Sequence, residues 1–328
     1  MRILVLTEEE IRGLITMPDA LEAVRKGFVS LAEGQACLPD VINLDIPEVS
    51  GEIHVKGAYL KGAKHAVFKI ATGFYGNPAL GLPSSSGLML ALNASTGAPS
   101  AMLLDNGYLT EMRTGAAGAL AADLLAHAQL SRVAMIGTGT QARFQMRGLS
   151  CVRHIPSVAV WGRSTRGADV YAREMIDELS VPFEVYRSID KAVRGADLVV
   201  TATPSHRPLL QESWIEPGAH ITAVGSDGPE KQELAVAILS RADVLIADQL
   251  HQCAKLGEIH HAIDAGVLAL DRVAGELGDL VCGRISGRRS PDDVTVCDLT
   301  GVGVQDAAIA ELVLERALAE EAGTLLSE

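Results

Sequence analysis

The chain has 328 residues, 48% hydrophobic and 21% charged, enough for two domains that each bury an apolar core. Its 28 Lys and Arg stand against 41 Asp and Glu, and the net charge of −13 opposes general attraction to nucleic acid phosphates or anionic lipid. Neither nucleic acid nor a membrane is therefore an expected partner, and any anionic ligand has to be held by a few locally placed cations.

Cys37, Cys151, Cys253, Cys282 and Cys297 are scattered without a C-x-x-C pair, which excludes a disulfide framework or zinc site of the usual spacing and fits a reducing, cytoplasmic compartment. The opening run Met1-Arg2-Ile3-Leu4-Val5-Leu6 is too short for a signal peptide, and no later apolar run escapes Gly, Pro or charge for long enough to span a bilayer.

Thr7 with Glu10 three residues on makes a capping box, and Pro18-Asp19 opens a second helix whose Leu21, Val24, Phe28 and Leu31 share a face until Gly34. The N-terminus is thus predicted to be helical. From about residue 40 short β runs follow at 53–60, 66–73, 87–92 and 101–105, punctuated by Lys61-Gly62, Ser95-Thr96-Gly97 and Asn106-Gly107, and they predict an antiparallel sheet with hairpins. Residues 110–128 are rich in Ala, with Gly115 and Gly118 close together, and read as a tightly packed helix that bridges two domains.

From Ser131 strands alternate with helices: a strand at 132–136, a helix from Gln141, a strand at 157–162, a helix from Arg166, then strands at 197–203, 220–225 and 243–247. That pattern predicts a parallel, doubly wound sheet. A further strand at 294–299 leads to a final helix from Gln305, apolar at Ile309, Leu312, Val313 and Leu318, which is expected to fold back onto the first domain. The expected fold class is α/β, with residues 1–115, completed by 305–328, as an N-terminal α/β domain. Residues 116–304 form the Rossmann domain.

Val133-Ala134-Met135-Ile136 runs into Gly137-Thr138-Gly139-Thr140-Gln141-Ala142 and then a helix, which is G-x-G-x-x-A in the strand–turn–helix setting that a dinucleotide needs. Gly137 permits the tight turn, Gly139 lets backbone approach a pyrophosphate, and Ala142 allows close helix–strand packing. The strand at 157–162 does not end in the acidic residue that would bind a ribose 2′-OH; it gives Arg163-Ser164-Thr165-Arg166. Two guanidiniums and two hydroxyls suit a 2′-phosphate, so NADP(H) is favoured over NAD(H), the alternative being a plain exposed basic turn.

Four ordered motifs surround this loop: residues 104–114 (Leu-Asp-Asn-Gly-Tyr-Leu-Thr-Glu-Met-Arg-Thr), Gly225-Ser226-Asp227 with Lys231-Gln232-Glu233-Leu234, Leu256-Gly257-Glu258-Ile259-His260-His261-Ala262-Ile263, and residues 298–306 (Asp-Leu-Thr-Gly-Val-Gly-Val-Gln-Asp). On these the chain resembles, over nearly its whole length, the ornithine cyclodeaminase/μ-crystallin family, and within it the cyclodeaminase-like proteins of ectoine utilisation. The resemblance implies a substrate domain that dimerises through its sheet, consistent with the unpaired sheet edge that a lone domain would expose.

Lys69 sits among apolar strand residues, where a charge is costly unless it is paired or faces a ligand; the other reading is a strand Lys facing solvent. By resemblance it matches the lysine that binds the substrate carboxylate at the catalytic centre. Arg113, in the predicted first turn of its helix, matches the second carboxylate-binding residue, the alternative being an interdomain ion pair. Asp227 follows a strand at the end where doubly wound sheets bind ligands and matches the catalytic acid/base, although turn-capping Asp is common there. Asn43 stands where many relatives carry an arginine that grips the carboxylate, and nearby Lys56 is a substitute. Thr201, Thr203, Ser226, Thr300 and Gly301 fit loops beside a nicotinamide. Glu258, His260 and His261 receive no metal, since adjacent His point to different sides of most backbones.

The expected function is NAD(P)-dependent oxidoreduction at the C–N bond of a small amino or imino acid. A cyclodeaminase that recycles its bound nicotinamide is the alternative. A non-catalytic NADPH-binding crystallin role is disfavoured by the presence of Asp227 with Lys69 and Arg113.

Overall fold

The computed structural model describes residues 2–327. The chain forms two compact units, one built from residues up to Arg113 together with those from Val302 onward, the other from Thr114–Gly301.

The first unit opens with strand β1 (Arg2–Thr7), which corrects the expectation of a wholly helical N-terminus. Leu4 and Leu6 are buried while Ile3 and Val5 are half-buried, so both faces of the strand are apolar and the run carries no polar alternation to betray it. Thr7 then caps α1 (Glu8–Leu14), with Glu10 Oε2 accepting from the Thr7 N–H at 2.7 Å, and α2 (Met17–Ala32) follows. Next come β2 (Ala36–Cys37), β3 (Ile42–Ile46), β4 (Gly51–Leu60), β5 (His65–Phe74), β6 (Ser85–Asn93) and β7 (Pro99–Leu104).

β4 through β7 pair antiparallel in sequence order, but β1 lies parallel to β7, so the sheet is mixed where an antiparallel one was expected. The C-terminal strand Thr324–Ser327 adds to β1, and β3 adds to β4. One face carries Val67, Met89, Ala91 and Leu103, all fully buried. Against this sheet packs the C-terminal helix Gly303–Ala319, which also packs on α2. A Cβ on Gly303 would lie 2.3 Å from the Gly57 carbonyl oxygen, so the start of that helix rests on β4 as closely as backbone allows. This contact sets the residues of its first turn over β4 and β5.

Helix α3 (Tyr108–Leu125) begins earlier than expected, because buried Asp105 accepts from the Leu109 N–H at 2.8 Å and caps it. Arg113 consequently sits in the second turn, not the first, and has no unpaired helix N–H groups beside it.

The second unit holds a parallel sheet in the order Phe183–Val185, Val158–Trp161, Val133–Ile136, Leu198–Thr201, His220–Ala223, Thr295–Asp298, Val244–Ala247, Gly275–Glu276. Every strand expected after Ser131 is there, and the two outermost strands are additions. A small parallel pair, His206–Leu210 with Gln232–Leu234, stands apart from it. Ligands of such sheets bind beyond the carboxyl ends of the strands, and the Gly137, Asp227 and Thr300 loops all leave from those ends.

Candidate active site

In the first unit Lys69 of β5 lies directly across from Lys56 of β4, on the face that also carries Val67 and Met89. Both lysines are buried, at 2% and 4% exposure, as is Arg113 of α3. From the first turn of the C-terminal helix Asp306 reaches between two of these cations: Oδ2 is 3.4 Å from Lys69 Nζ, and Oδ1 is 2.9 Å from Arg113 Nε. Neither oxygen has a well-aligned hydrogen bond, so one carboxylate is stretched between two bases. Gln305 beside it accepts from Arg113 Nη1 at 2.8 Å.

Burial pushes the Lys69 ammonium down to about 7; the Arg113 charge pushes the same way, Asp306 opposes, and Lys56 adds a smaller push. Lys69 and Arg113 together thus bring two positive charges to the single Asp306 carboxylate. A second carboxylate arriving there would settle both. Asn43 of β3 lies across from His54, one row along the same face, and is exposed, so the structure brings Lys56, Lys69 and Arg113 together and leaves Asn43 at the rim. Gln305 and Asp306, the last residues of the 298–306 motif, are thus part of the cluster, although sequence patterns give them no role. Their only sequence signal is a polar pair in the first turn of the C-terminal helix, ahead of the apolar run Ala307–Ala310.

In the second unit Gly137 has φ +124°, and a Cβ there would lie 2.5 Å from the Ala202 carbonyl oxygen. Gly139 caps the helix Thr140–Val152, and a Cβ there would meet nothing within 4 Å. The loop is therefore tight on its inner side and open on its outer one, with the helix N-terminus behind it, which is the shape a pyrophosphate requires. No acidic residue occupies that helix's first turn. Arg143 donates to the Thr138 and Gly139 carbonyls at 2.9 and 3.1 Å and pairs with Glu174, holding those carbonyls toward the protein. Ala142 is fully buried, and Gln141 accepts from Gln145 at 2.9 Å.

Arg163, Ser164 and Arg166 are exposed after the strand Val158–Trp161, and Ser164 Oγ caps the next helix by accepting from the Gly167 N–H at 3.2 Å. Thr201 corrects a boundary: it ends the strand Leu198–Thr201 and is fully buried rather than lying in the loop. Thr203 is in the loop, where Glu233 accepts from its N–H and its hydroxyl at 2.7 Å each. Asp248 holds the last loop, accepting from Thr300 Oγ1 at 3.0 Å and the Gly301 N–H at 2.7 Å.

Asp227, its side chain 40% exposed, follows the strand His220–Ala223 and pairs with Lys231 at 2.8 Å. The Ser226 hydroxyl donates to the Lys231 carbonyl, so it serves the turn. The Glu258 motif is structural too: its carboxylate accepts from the Glu233 and Leu234 N–H groups at 2.6 and 3.1 Å. Burial pushes Glu233 and Asp298 up to about 7, and Glu258 well above the usual carboxylate range. Among the described residues no three His, Cys, Asp or Glu side chains are grouped to hold a metal ion. Among them, too, no helix is long and apolar enough to cross a membrane.

A Rossmann-type sheet with an open glycine loop, and a second α/β unit that buries a cation cluster, mark the chain as a nicotinamide-dependent enzyme. The chain belongs to the ornithine cyclodeaminase/mu-crystallin family, whose profile matches residues 1–321. It is 44% identical over 323 residues to an uncharacterised cyclodeaminase of Sinorhizobium fredii, covering 98% of both chains. Among solved structures, an archaeal alanine dehydrogenase dimer with bound NAD superposes with a TM-score of 0.93 at 36% identity, covering 100% of this chain and 99% of that one. The Δ1-pyrroline-2-carboxylate reductase of Thermococcus litoralis, in complex with NADH and L-proline, gives 0.94 at 29%, covering 98% and 99%.

Proposed function

We propose that the protein is a nicotinamide-dependent oxidoreductase acting on the C–N bond of a small amino or imino acid. The observation that carries this reading is the sharing of Asp306 by Lys69 and Arg113, since two buried bases answered by one acid leave a positive charge that suits a substrate's α-carboxylate. Lys56, beside Lys69 on the sheet, adds to the positive field there.

The dinucleotide would be held by Gly137, Thr138, Gly139, Thr140, Gln141 and Ala142 through backbone and helix N-terminus. Arg163, Ser164 and Arg166 would meet the adenosine ribose, and Thr203, Thr300 and Gly301 the nicotinamide end. When bound, the nicotinamide supplies or takes a hydride at the substrate carbon. Asp227 moves the accompanying proton at the substrate nitrogen, so reduction of C=N consumes one hydride and one proton. The finer preference for NADP(H) rests on Arg163 and Arg166 and on the lack of an acidic residue after that strand; the archaeal and Thermococcus neighbours carry NAD and NADH.

The similarity to a protein named as a cyclodeaminase favours a second reading, in which the hydride is returned and ammonia leaves. Reduced-nicotinamide absorbance with Δ1-pyrroline-2-carboxylate, L-alanine and L-ornithine separates the two. Net consumption of cofactor supports the first reading, ammonia release without consumption the second, and neither with any of the three substrates counts against both.

A further inference from the structure

The turn that carries Asp227 also buries an ammonium. Lys231, four residues on, keeps only 7% of its side-chain surface, and its Nζ lies 2.8 Å from Asp227 Oδ1. A lysine in a polar turn has open water within reach of its long stem, and taking its charge out of water costs several kcal/mol unless a well-placed partner answers it.

The backbone around it is fixed from three sides. The Lys231 N–H donates to the Gly228 carbonyl at 3.1 Å, and the Lys231 carbonyl accepts from the Ser226 hydroxyl and sits 2.7 Å from the His261 ring nitrogen. The acceptor there is a carbonyl, so His261 presents its Nε2 proton to it. The charged groups packed nearby have other work: Glu233 accepts from Thr203 and Gly225, and Glu258 from the Glu233 and Leu234 N–H groups. The motif around Glu258 and His261 thereby gains a purpose, since it holds the segment from Lys231 to Leu234 in place. The result is a buried ammonium aimed at a carboxylate that remains partly exposed.

We infer that Lys231 is a positioning residue for Asp227: its ammonium fixes the carboxylate's orientation and keeps it ionised, ready to pair with a protonated substrate nitrogen and take its proton. The inference rests on the role proposed for Asp227, but the pairing has consequences of its own. An ammonium at hydrogen-bond distance favours the carboxylate form, so removing it makes Asp227 easier to protonate.

The test uses the intact protein labelled with 13C at aspartate carboxyls, the Asp227 resonance being the one that Asp227→Asn removes. Expected is a protonation midpoint below the free-aspartate value of about 3.9, a rise of about one unit in Lys231→Met, and a return in Lys231→Arg. A midpoint at or above the free value in the unmodified protein overturns the proposal even if Lys231→Met does not fold, and so does a midpoint unmoved by that substitution. Turnover of L-proline with NAD, the direction in which Asp227 takes the proton, is measured in parallel. Lys231→Met should lower kcat by roughly ten- to a hundredfold with NADH affinity, read by fluorescence titration, unchanged, and should add nothing in the Asp227→Asn background. If Asp227→Asn itself keeps full turnover, the proton role of Asp227 fails, whereas the carboxyl titration still decides whether Lys231 holds it.

Discussion

Lys69 and Asp306 meet at 3.4 Å between Nζ and Oδ2 while Arg113 takes the same carboxylate from its other oxygen, so one buried acid stands against two buried bases. The arrangement leaves positive charge in a place that water reaches poorly, and that charge makes the behaviour of the cluster depend on pH, on anions and on Asp306 itself.

Carboxylate affinity should fall as pH rises through about 7. Lys69 is pushed down to about 7 by burial and by Arg113, and only its protonated form attracts a carboxylate. Above that pH the unbound protein must first take up a proton, at a cost of up to about tenfold in affinity per pH unit. The same depression acts on folding: below pH 7 the folded chain must bury the charged form, and this penalty is relieved as pH climbs from about 7 toward the free-lysine value of about 10.4. L-proline titrated between pH 6 and 9 checks the first sign, and an affinity independent of pH would show that Lys69 does not hold the carboxylate.

Asp306→Asn should destabilise the first unit by about 3–5 kcal/mol, the usual consequence of removing one partner from a buried ion pair. Two cations would then lie together with no acid between them. A small dianion such as malonate, added at millimolar concentration, should recover part of the loss by entering the cluster. Thermal denaturation with and without malonate reads both effects, and a variant as stable as the parent would mean that Asp306 does not balance Lys69 and Arg113.

Much of this architecture was legible from residue patterns, and the failures have physical causes. The strands at Val133–Ile136 and Leu198–Thr201 announce themselves because fully buried parallel strands are short apolar runs closed by turn residues. β1 has the same character, but it runs directly into the Thr7 capping box, and the helical signal there masks it. β3 alternates strictly, Ile42 and Leu44 against Asn43, but its five residues end at Pro47 and are too short a run to stand out as a strand. Arg113 was placed one turn early because the start of α3 depends on the Asp105 side chain folding back onto the Leu109 N–H. Asp306 was invisible as a partner of Lys69, since that ion pair exists only once the C-terminal helix has docked on β4.

Arg163→Asp should invert the cofactor preference. In the parent, Arg163 and Arg166 project from an exposed turn whose strand ends without an acid, and NADPH is expected to bind more tightly than NADH. An aspartate at the same turn would repel a 2′-phosphate and accept a hydrogen bond from a ribose 2′-OH. Fluorescence titration of both cofactors into both proteins decides it; tighter NADH in the parent would show that these arginines are only a basic turn.

The last expectation concerns the sheet face turned away from the C-terminal helix. Ile42, Val55, Ile70 and Leu88 form one cross-strand row on it, and Phe68, Leu90 and Met102 form the next. These side chains are apolar and half-buried or exposed, with Ile42 at 62%. A sheet that is apolar on both faces is ordinarily covered on both, and a contiguous apolar surface of this kind on a monomer marks an interface. A second copy of the chain is the simplest cover, because two such faces are self-complementary about a two-fold axis. Ile70→Asp, at the centre of the row, would put a charge into that interface while leaving the helix-covered face untouched. Light scattering at micromolar concentration should give a dimer for the parent and a monomer for Ile70→Asp, with dinucleotide binding retained in both. A monomeric parent would refute the assembly, and a dimeric Ile70→Asp would move the interface elsewhere.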